Sequence, residues 1–272
     1  MPAIITPEEL QRRSAAGGPL LVDLGDEARH RQAHLPGAVH LPFAALNRAE
    51  PPASGLVPDE AALAEALGGV GIDDGVEVVA YDSEGGGRAS RLLWTLDLLG
   101  HPRHALLNGG LHAWLEAEGA TESGAVAPQP RDYPARLRCP EYLAERQWLL
   151  ERLDDPGVAL IDARSQAEYT GEDVRAQRGG HIPGAVHLDW RAFMDADGAP
   201  ALRPEAQLRE LLEARGVTPE HEVVVHCQTH HRSSLTYVVL RHLGFPRVRG
   251  YAGSWSEWGN DPALPVRAGE AP

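Results

Sequence analysis

One eight-residue segment occurs twice in this chain. His34-Leu35-Pro36-Gly37-Ala38-Val39-His40-Leu41 returns as His181-Ile182-Pro183-Gly184-Ala185-Val186-His187-Leu188, with seven of eight positions identical. Other matches flank it in the same order. Leu21-Val22-Asp23 answers to Leu160-Ile161-Asp162 upstream. Downstream, Val78 to Asp82 answers to Val223 to Cys227, Leu98 to Arg103 answers to His242 to Arg247, and Gly109 to Trp114 answers to Gly253 to Trp258. A collinear set with so long a period marks a duplicated domain and not a solenoid. The 272 residues leave roughly 135 for each copy, enough for a core of its own. The predicted domains are 1–120 and 139–272. Between them 121–138 is rich in Pro, Ala and Gly without apolar periodicity, and reads as a linker.

Within one copy, short apolar strands alternate with helices. Strands are predicted at Leu20–Asp23, Ala38–Leu41, Glu77–Tyr81 and His104–Leu107, and at Val158–Asp162, Ala185–Leu188, Glu222–His226 and Arg247–Arg249. Helices are predicted at Pro58–Leu67, Arg88–Leu99, Pro204–Arg215 and Ser234–Leu243, and a short one carries each of Trp114 and Trp258. Thr6-Pro7-Glu8-Glu9 is a helix start with a capping box, and Cys139-Pro140-Glu141 is read as the start of its counterpart. The fold class is α/β, a mostly parallel sheet in each half with helices on both faces.

Composition narrows the partners. The net charge is −14, every one of the 25 basic residues is Arg, and no basic stripe is visible, so a nucleic-acid partner is not expected. No apolar run approaches the roughly 18 residues of a membrane span, so no membrane partner is expected either. Met1 to Glu9 has no basic stretch leading into an apolar one, so no signal peptide is predicted. Two cysteines, Cys139 and Cys227, do not make a disulfide framework, and a reducing cytoplasm is the expected setting.

Chemistry is expected past the carboxyl end of a central strand. In the second half that place is held by His226-Cys227-Gln228-Thr229-His230-His231-Arg232-Ser233-Ser234, directly before a helix. A strand, a tight loop and a helix start aim several N–H groups at one point and favour an anion there. Cys227 opens the loop, so its sulfur is the candidate catalytic group. Helix dipole and Arg232 are expected to lower its pKa by about two units from the usual ~8.5. Gln228, Thr229, His230, His231 and Arg232 are the candidate substrate-binding residues, with the histidines splayed outward. Arg232 either adds charge to the cradle or folds back to brace the loop.

The loop, the doubled segment and the Gly-Ser-x-x-x-Trp ending at Gly253 to Trp258 resemble the rhodanese sulfurtransferases in their two-domain form, over nearly the whole chain. The Cys-Gln-Thr-His-His-Arg loop is most similar to bacterial thiosulfate:cyanide members. The resemblance implies two tandem rhodanese-like domains and a persulfide on Cys227. It implies thiosulfate as donor, and cyanide, a small thiol or dithiol, or an acceptor protein as acceptor, by ping-pong transfer. No cofactor and no metal is expected.

The first half departs at the decisive place. Asp82 stands where the second half has Cys227, followed by Ser83-Glu84-Gly85-Gly86-Gly87-Arg88, a loop read as one residue longer. A carboxylate cannot carry a persulfide, so that half is expected to be catalytically silent. Glu168 stands where some eukaryotic members have a substrate-binding Arg, and a salt bridge from Arg164 to Glu168 is expected instead. His34, His40, His181 and His187 recur in both halves and read as structural, bonding loop carbonyls. Trp114 and Trp258 read as core. Trp190 and Trp255 are not repeated and either pack or line the cleft or an acceptor-protein surface. Cys139 reads as structural.

Three other activities fit parts of the pattern. A 3-mercaptopyruvate sulfurtransferase would use the same chemistry, but the Cys-Gly-[Ser/Thr]-Gly-Val-Thr loop of such members is absent. A persulfide carrier would pass sulfur to a protein partner. A cysteine-dependent phosphatase would need His-Cys-x5-Arg, and only four residues separate Cys227 from Arg232.

Overall fold

The computed structural model describes residues 3–14, 17–195 and 200–271. Met1 and Pro2, part of the amino-terminal segment read above, lie outside them. The first half runs β1 (Ala3–Ile5), α1 (Pro7–Ser14), β2 (Leu20–Asp23), α2 (Glu27–Gln32), β3 (Val39–His40), β4 (Arg48–Glu50), β5 (Ala53–Leu56), α3 (Glu60–Gly69), β6 (Val78–Tyr81), α4 (Gly87–Leu98), β7 (His104–Leu107) and α5 (Gly110–Glu116). The second runs β8 (Leu143–Ala144), α6 (Arg146–Leu150), β9 (Val158–Asp162), α7 (Gln166–Thr170), β10 (Ala185–His187), α8 (Glu205–Glu213), β11 (Glu222–His226), α9 (Arg232–His242), β12 (Val248–Tyr251) and α10 (Ser254–Trp258).

Each half builds a five-stranded, all-parallel sheet. The orders are β1-β7-β6-β2-β3 and β8-β12-β11-β9-β10, the same arrangement strand for strand. The central strands β6 and β11 are the apolar runs of the sequence. All four residues of β6 and the last four of β11 are buried. Successive side chains point to opposite faces, so such a strand must be covered on both. The helices that follow, α4 and α9, are buried on nearly every side. Their polar faces are short because other elements cover them in turn.

The doubled segment is a turn with a fixed job. Gly37 (φ 73°) and Gly184 (φ 80°) take the left-handed backbone that a side chain disfavours. The four histidines hold backbone oxygens. His34 Nδ1 lies 2.7 Å from His30 O, and His40 Nε2 lies 3.0 Å from Gly25 O. His181 Nδ1 lies 2.9 Å from Tyr169 O, and His187 Nε2 lies 2.9 Å from Arg164 O. Trp114 and Trp258 are core, with their indole N–H on Ala120 O and Pro265 O.

Several local expectations fail. The segment at Cys139 does not open the counterpart of α1. Pro140–Tyr142 is one 3-10 turn, β8 follows, and the helix starts at Arg146. Glu145, not Cys139, is therefore the counterpart of Thr6. The strands β1 and β8 are too short to show a period. The hairpin β4–β5 is also unforeseen, since Arg48–Glu50 lies at the surface and carries no apolar alternation. Residues 121–138 hold neither helix nor strand, but Tyr133 and Ala135 are buried, and Tyr133 packs edge-on against His101.

The chain divides into two compact units that are not contiguous in sequence. One comprises Met1–Leu46, Pro58–Cys139 and Met194–Leu202; the other comprises Asn47–Val57, Pro140–Phe193 and Arg203–Pro272. The hairpin β4–β5 thus belongs to the unit of β11, where β5 packs on α10. Among the described residues no helix is long and apolar enough to cross a membrane.

Candidate active site

Cys227 sits at the carboxyl end of β11, and α9 begins five residues later at Arg232. It is wholly buried. Burial alone would raise its thiol. The Arg232 charge, the Ser233 hydroxyl and the backbone N–H groups of Ser233 and Thr229 more than offset this, so the thiol lies below its ordinary value. The direction is the one expected from sequence. The residue that helps most after Arg232, Ser233, was not foreseen, although a serine in the first turn of a helix is a ready donor.

The loop residues do not all face outward. Gln228, Thr229, His231 and Arg232 are half-buried, but His230 is completely buried. Its backbone takes φ 51°, and its Nδ1 lies 2.8 Å from Ser233 Oγ. The expectation of outward-splayed histidines is therefore wrong for His230. The left-handed turn points its ring back toward the helix start. Such a conformation costs a side-chain-bearing residue about 1 kcal/mol or more. Gln228 turns its amide to Arg175 O at 3.1 Å.

Arg232 braces. Nη1 and Nη2 donate to the two oxygens of Glu168 at 2.6 and 2.8 Å. Glu168 is in turn the third residue of α7 and closes a capping box with Ser165. Burial would raise the Glu168 carboxyl, but hydrogen bonds and charge from Arg232, with help from Ser165, hold it at about 2. The expected bridge from Arg164 to Glu168 does not form. Arg164 instead pairs with Asp162 at 2.6 Å, donates to Gly180 O at 2.7 Å and stacks over Trp255. Both side chains of that pair are fully buried. Asp162 ends β9 beside β11, so a partner two residues on reaches it without leaving the strand end. Trp255 is likewise fully buried under Arg164 and packs, whereas Trp190 is half-buried at the edge of a 3-10 turn.

Two further contacts build the loop. Ser254, at the start of α10, places its Oγ 3.0 Å from His230 N and 3.4 Å from Cys227 N. Gly55 of β5 lies directly on Thr229, where a Cβ would collide with the Thr229 carbonyl and fall 2.8 Å from its Cα. The neighbouring Ser54 N–H donates to Ser256 Oγ at 3.2 Å.

The first unit shows the same frame with a different occupant. Asp82 directly follows β6 and α4 begins five residues later at Gly87, but α4 runs one residue longer than α9. Counted back from Gly100 and Gly244, which follow the two helices, Arg88 stands where Arg232 does, so the first unit carries the one extra residue read from the sequence. Arg88 pairs with Glu84 at 3.0 Å, within its own loop. The Asp82 carboxylate is buried and fills its own cradle. One oxygen accepts from Glu84 N (2.9 Å) and Gly86 N (2.8 Å), the other from Ala89 N (3.0 Å). A strand end before a helix start therefore does hold an anion in this protein.

The chain is similar to known proteins over most of its length. The Rhodanese-like domain family matches residues 6–117 and again residues 145–261. A thiosulfate sulfurtransferase of Pseudomonas aeruginosa is 45% identical over 266 residues, covering 98% of this chain and 97% of that protein. One of Azotobacter vinelandii is 46% identical over 267 residues, covering 98% and 97%. A sulfur carrier protein of Thermus thermophilus is 33% identical over 213 residues, 74% of each chain. Among solved structures, the anaerobic ergothioneine biosynthesis enzyme of Chlorobium limicola superposes with a TM-score of 0.87. It is 22% identical, and the match covers 98% of this chain and 70% of that one, a likeness of fold. With two matched domains and relatives this similar over nearly its full length, the chain belongs to the rhodanese family.

Proposed function

We propose that this protein is a thiosulfate sulfurtransferase that carries sulfur on Cys227, with Gln228 to Arg232 forming the substrate loop. The observation that carries the reading is the buried thiol at a helix start, held below its ordinary pKa inside a frame whose twin holds a carboxylate. The near-full-length likeness to two thiosulfate sulfurtransferases supports the donor.

The chemistry balances without a cofactor. The Cys227 thiolate bonds to the outer sulfur of thiosulfate. The S–S bond to the sulfonate breaks, and its electron pair leaves with sulfite. The persulfide anion that remains has its terminal sulfur among N–H donors. A thiophilic acceptor such as cyanide then bonds that sulfur, and the S–S electron pair returns to Sγ. No proton moves if the thiolate is the resting form, which is what the lowered thiol pKa favours. Arg232 acts by its charge near Sγ and not by gripping substrate, because both terminal nitrogens are on Glu168. That arrangement also disfavours the phosphatase reading, which needs the arginine on phosphate oxygens.

We read 1–120 as the silent half, since Asp82 fills its cradle, and 139–272 as the catalytic half, with 121–138 linking them along the chain and the β4–β5 hairpin grouped with the catalytic unit. The acceptor is a small thiophile or a protein. The likeness to a sulfur carrier supports the latter. Two free cysteines suit the reducing cytoplasm.

The test is intact mass after thiosulfate, then after cyanide. One added sulfur that cyanide removes is expected in Cys139→Ala and not in Cys227→Ala. No added sulfur with any donor refutes the reading. A higher kcat/KM with mercaptopyruvate than with thiosulfate reassigns the donor.

A further inference from the structure

Two left-handed backbone positions also carry different residues in the two units. Where the first unit has Gly85 (φ 98°) and Gly110 (φ 53°), the second has His230 and Ser254, both at φ 51°. Gly85 and His230 stand three residues past Asp82 and Cys227, and the frame sets the correspondence of Gly110 and Ser254. Leu111 N donates to Asp82 O, and Trp255 N donates to Cys227 O, each from the residue after the one in question. Left-handed backbone suits glycine, and a residue with a side chain is kept there only when its surroundings over-determine it. Glycine would serve the backbone at Ser254 as it does at Gly110.

The side chain therefore explains the serine. It is fully buried, and its Oγ accepts from His230 N at 3.0 Å and from Cys227 N at 3.4 Å while donating to Tyr251 O at 2.7 Å. Two lone pairs and one proton are all used. The two strained residues are thus joined to each other, and the hydroxyl is tied to the end of β12.

The difference between the units supplies the reason. Asp82 orders its own loop, since its carboxylate permanently holds the N–H groups of Glu84, Gly86 and Ala89. A cysteine that gains and loses a sulfur atom cannot be a permanent anchor. The loop around it needs one that stays in place in every state.

We propose that Ser254 is a positioning residue for the chemistry at Cys227. Its hydroxyl clamps the first and fourth residues of the loop and so aims the remaining N–H donors at the sulfur. The inference takes its reaction from the sulfurtransferase reading, but its geometry does not depend on that reading.

Ser254→Gly and Ser254→Ala test it. Glycine removes the hydroxyl and relieves the left-handed backbone; alanine removes the hydroxyl and keeps the strain. Turnover with thiosulfate and cyanide is measured alongside the pH midpoint of Cys227 alkylation by iodoacetamide. Both variants are expected to lose kcat by about tenfold or more, with KM for thiosulfate within about twofold of wild type. In both, the alkylation midpoint moves to higher pH. A glycine variant with wild-type kcat and midpoint overturns the proposal. So does a loss of kcat with an unmoved midpoint, which is general loosening. If the wild-type protein turns over neither thiosulfate nor mercaptopyruvate, the sulfur reading fails, and the midpoint comparison still decides on the clamp.

Discussion

Arg232 spends both terminal nitrogens on one carboxylate, Nη1 on Glu168 Oε2 at 2.6 Å and Nη2 on Glu168 Oε1 at 2.8 Å. Only 6% of the Glu168 side chain and 22% of the Arg232 side chain are exposed, so the pair is shielded from salt and water. The carboxyl is held at about 2 against an ordinary 4.5. A depressed folded-state pKa stabilises the fold above the ordinary value and stops doing so as pH falls toward 2. The shift corresponds to about 3 kcal/mol at neutral pH. Glu168→Gln is expected to lower the urea midpoint clearly at pH 7 and by less at pH 3. Equal losses at both pH values would mean the pair is not what titrates.

The same geometry predicts that Arg232→Lys is not conservative. A lysine has no planar fork and cannot span both oxygens. It keeps the charge near Sγ but loses its position. Arg232→Gln removes the charge as well. The alkylation midpoint of Cys227 is expected below the usual ~8.5 in the wild-type protein, because the Arg232 charge and the Ser233 and Thr229 donors outweigh burial. Reactivity falls as pH drops through that midpoint. It should move up by about one unit in Arg232→Gln and by less in Arg232→Lys. A pH series of iodoacetamide rates on the three proteins reads this directly.

Asp82 offers a separation of stability from chemistry. Its carboxylate satisfies three backbone N–H groups. Asp82→Asn turns one acceptor into a donor facing donors, and should cost about 2 kcal/mol. Thermal unfolding should shift down by several degrees. Sulfur loading of Cys227, followed by mass, should still reach one atom per chain. Loss of loading in this variant would refute the silent role of the first domain.

Gly55 tests whether the hairpin supports the loop. A Cβ there runs into the backbone of Thr229, which cannot rotate away as a side-chain tip could. Gly55→Ala is expected to lower kcat by about tenfold through displacement of the loop. Gly69→Ala is the control. It lies at the end of α3 with nothing within 4 Å of a built Cβ, so it should be neutral or slightly stabilising.

The duplication, the two central strands and the place of Cys227 were all legible in the sequence, because each rests on local pattern. An apolar run of four or five residues needs cover on both faces wherever it lies. A Pro-Gly turn with flanking histidines bonds carbonyls a short way along the chain, as His34 does at His30. A cysteine between such a strand and a helix faces the helix start whatever surrounds it. The short edge strands β1 and β8 and the hairpin were not legible, since two or three residues show no period and Arg48–Glu50 has no buried apolar side chain.

The partners of the loop were decided elsewhere. Glu168 lies 64 positions from Arg232 and Ser254 lies 24 from His230. The nearer candidate for Glu168, Arg164, goes to Asp162 because both stand at one strand end. The sequence by itself determined two parallel-sheet domains and a thiol at one helix start. Only the tertiary structure decided that Arg232 braces, that Ser254 holds the loop and that Gly55 lies on it, because hydrogen-bond partners are chosen by distance in space and the sequence records only distance along the chain.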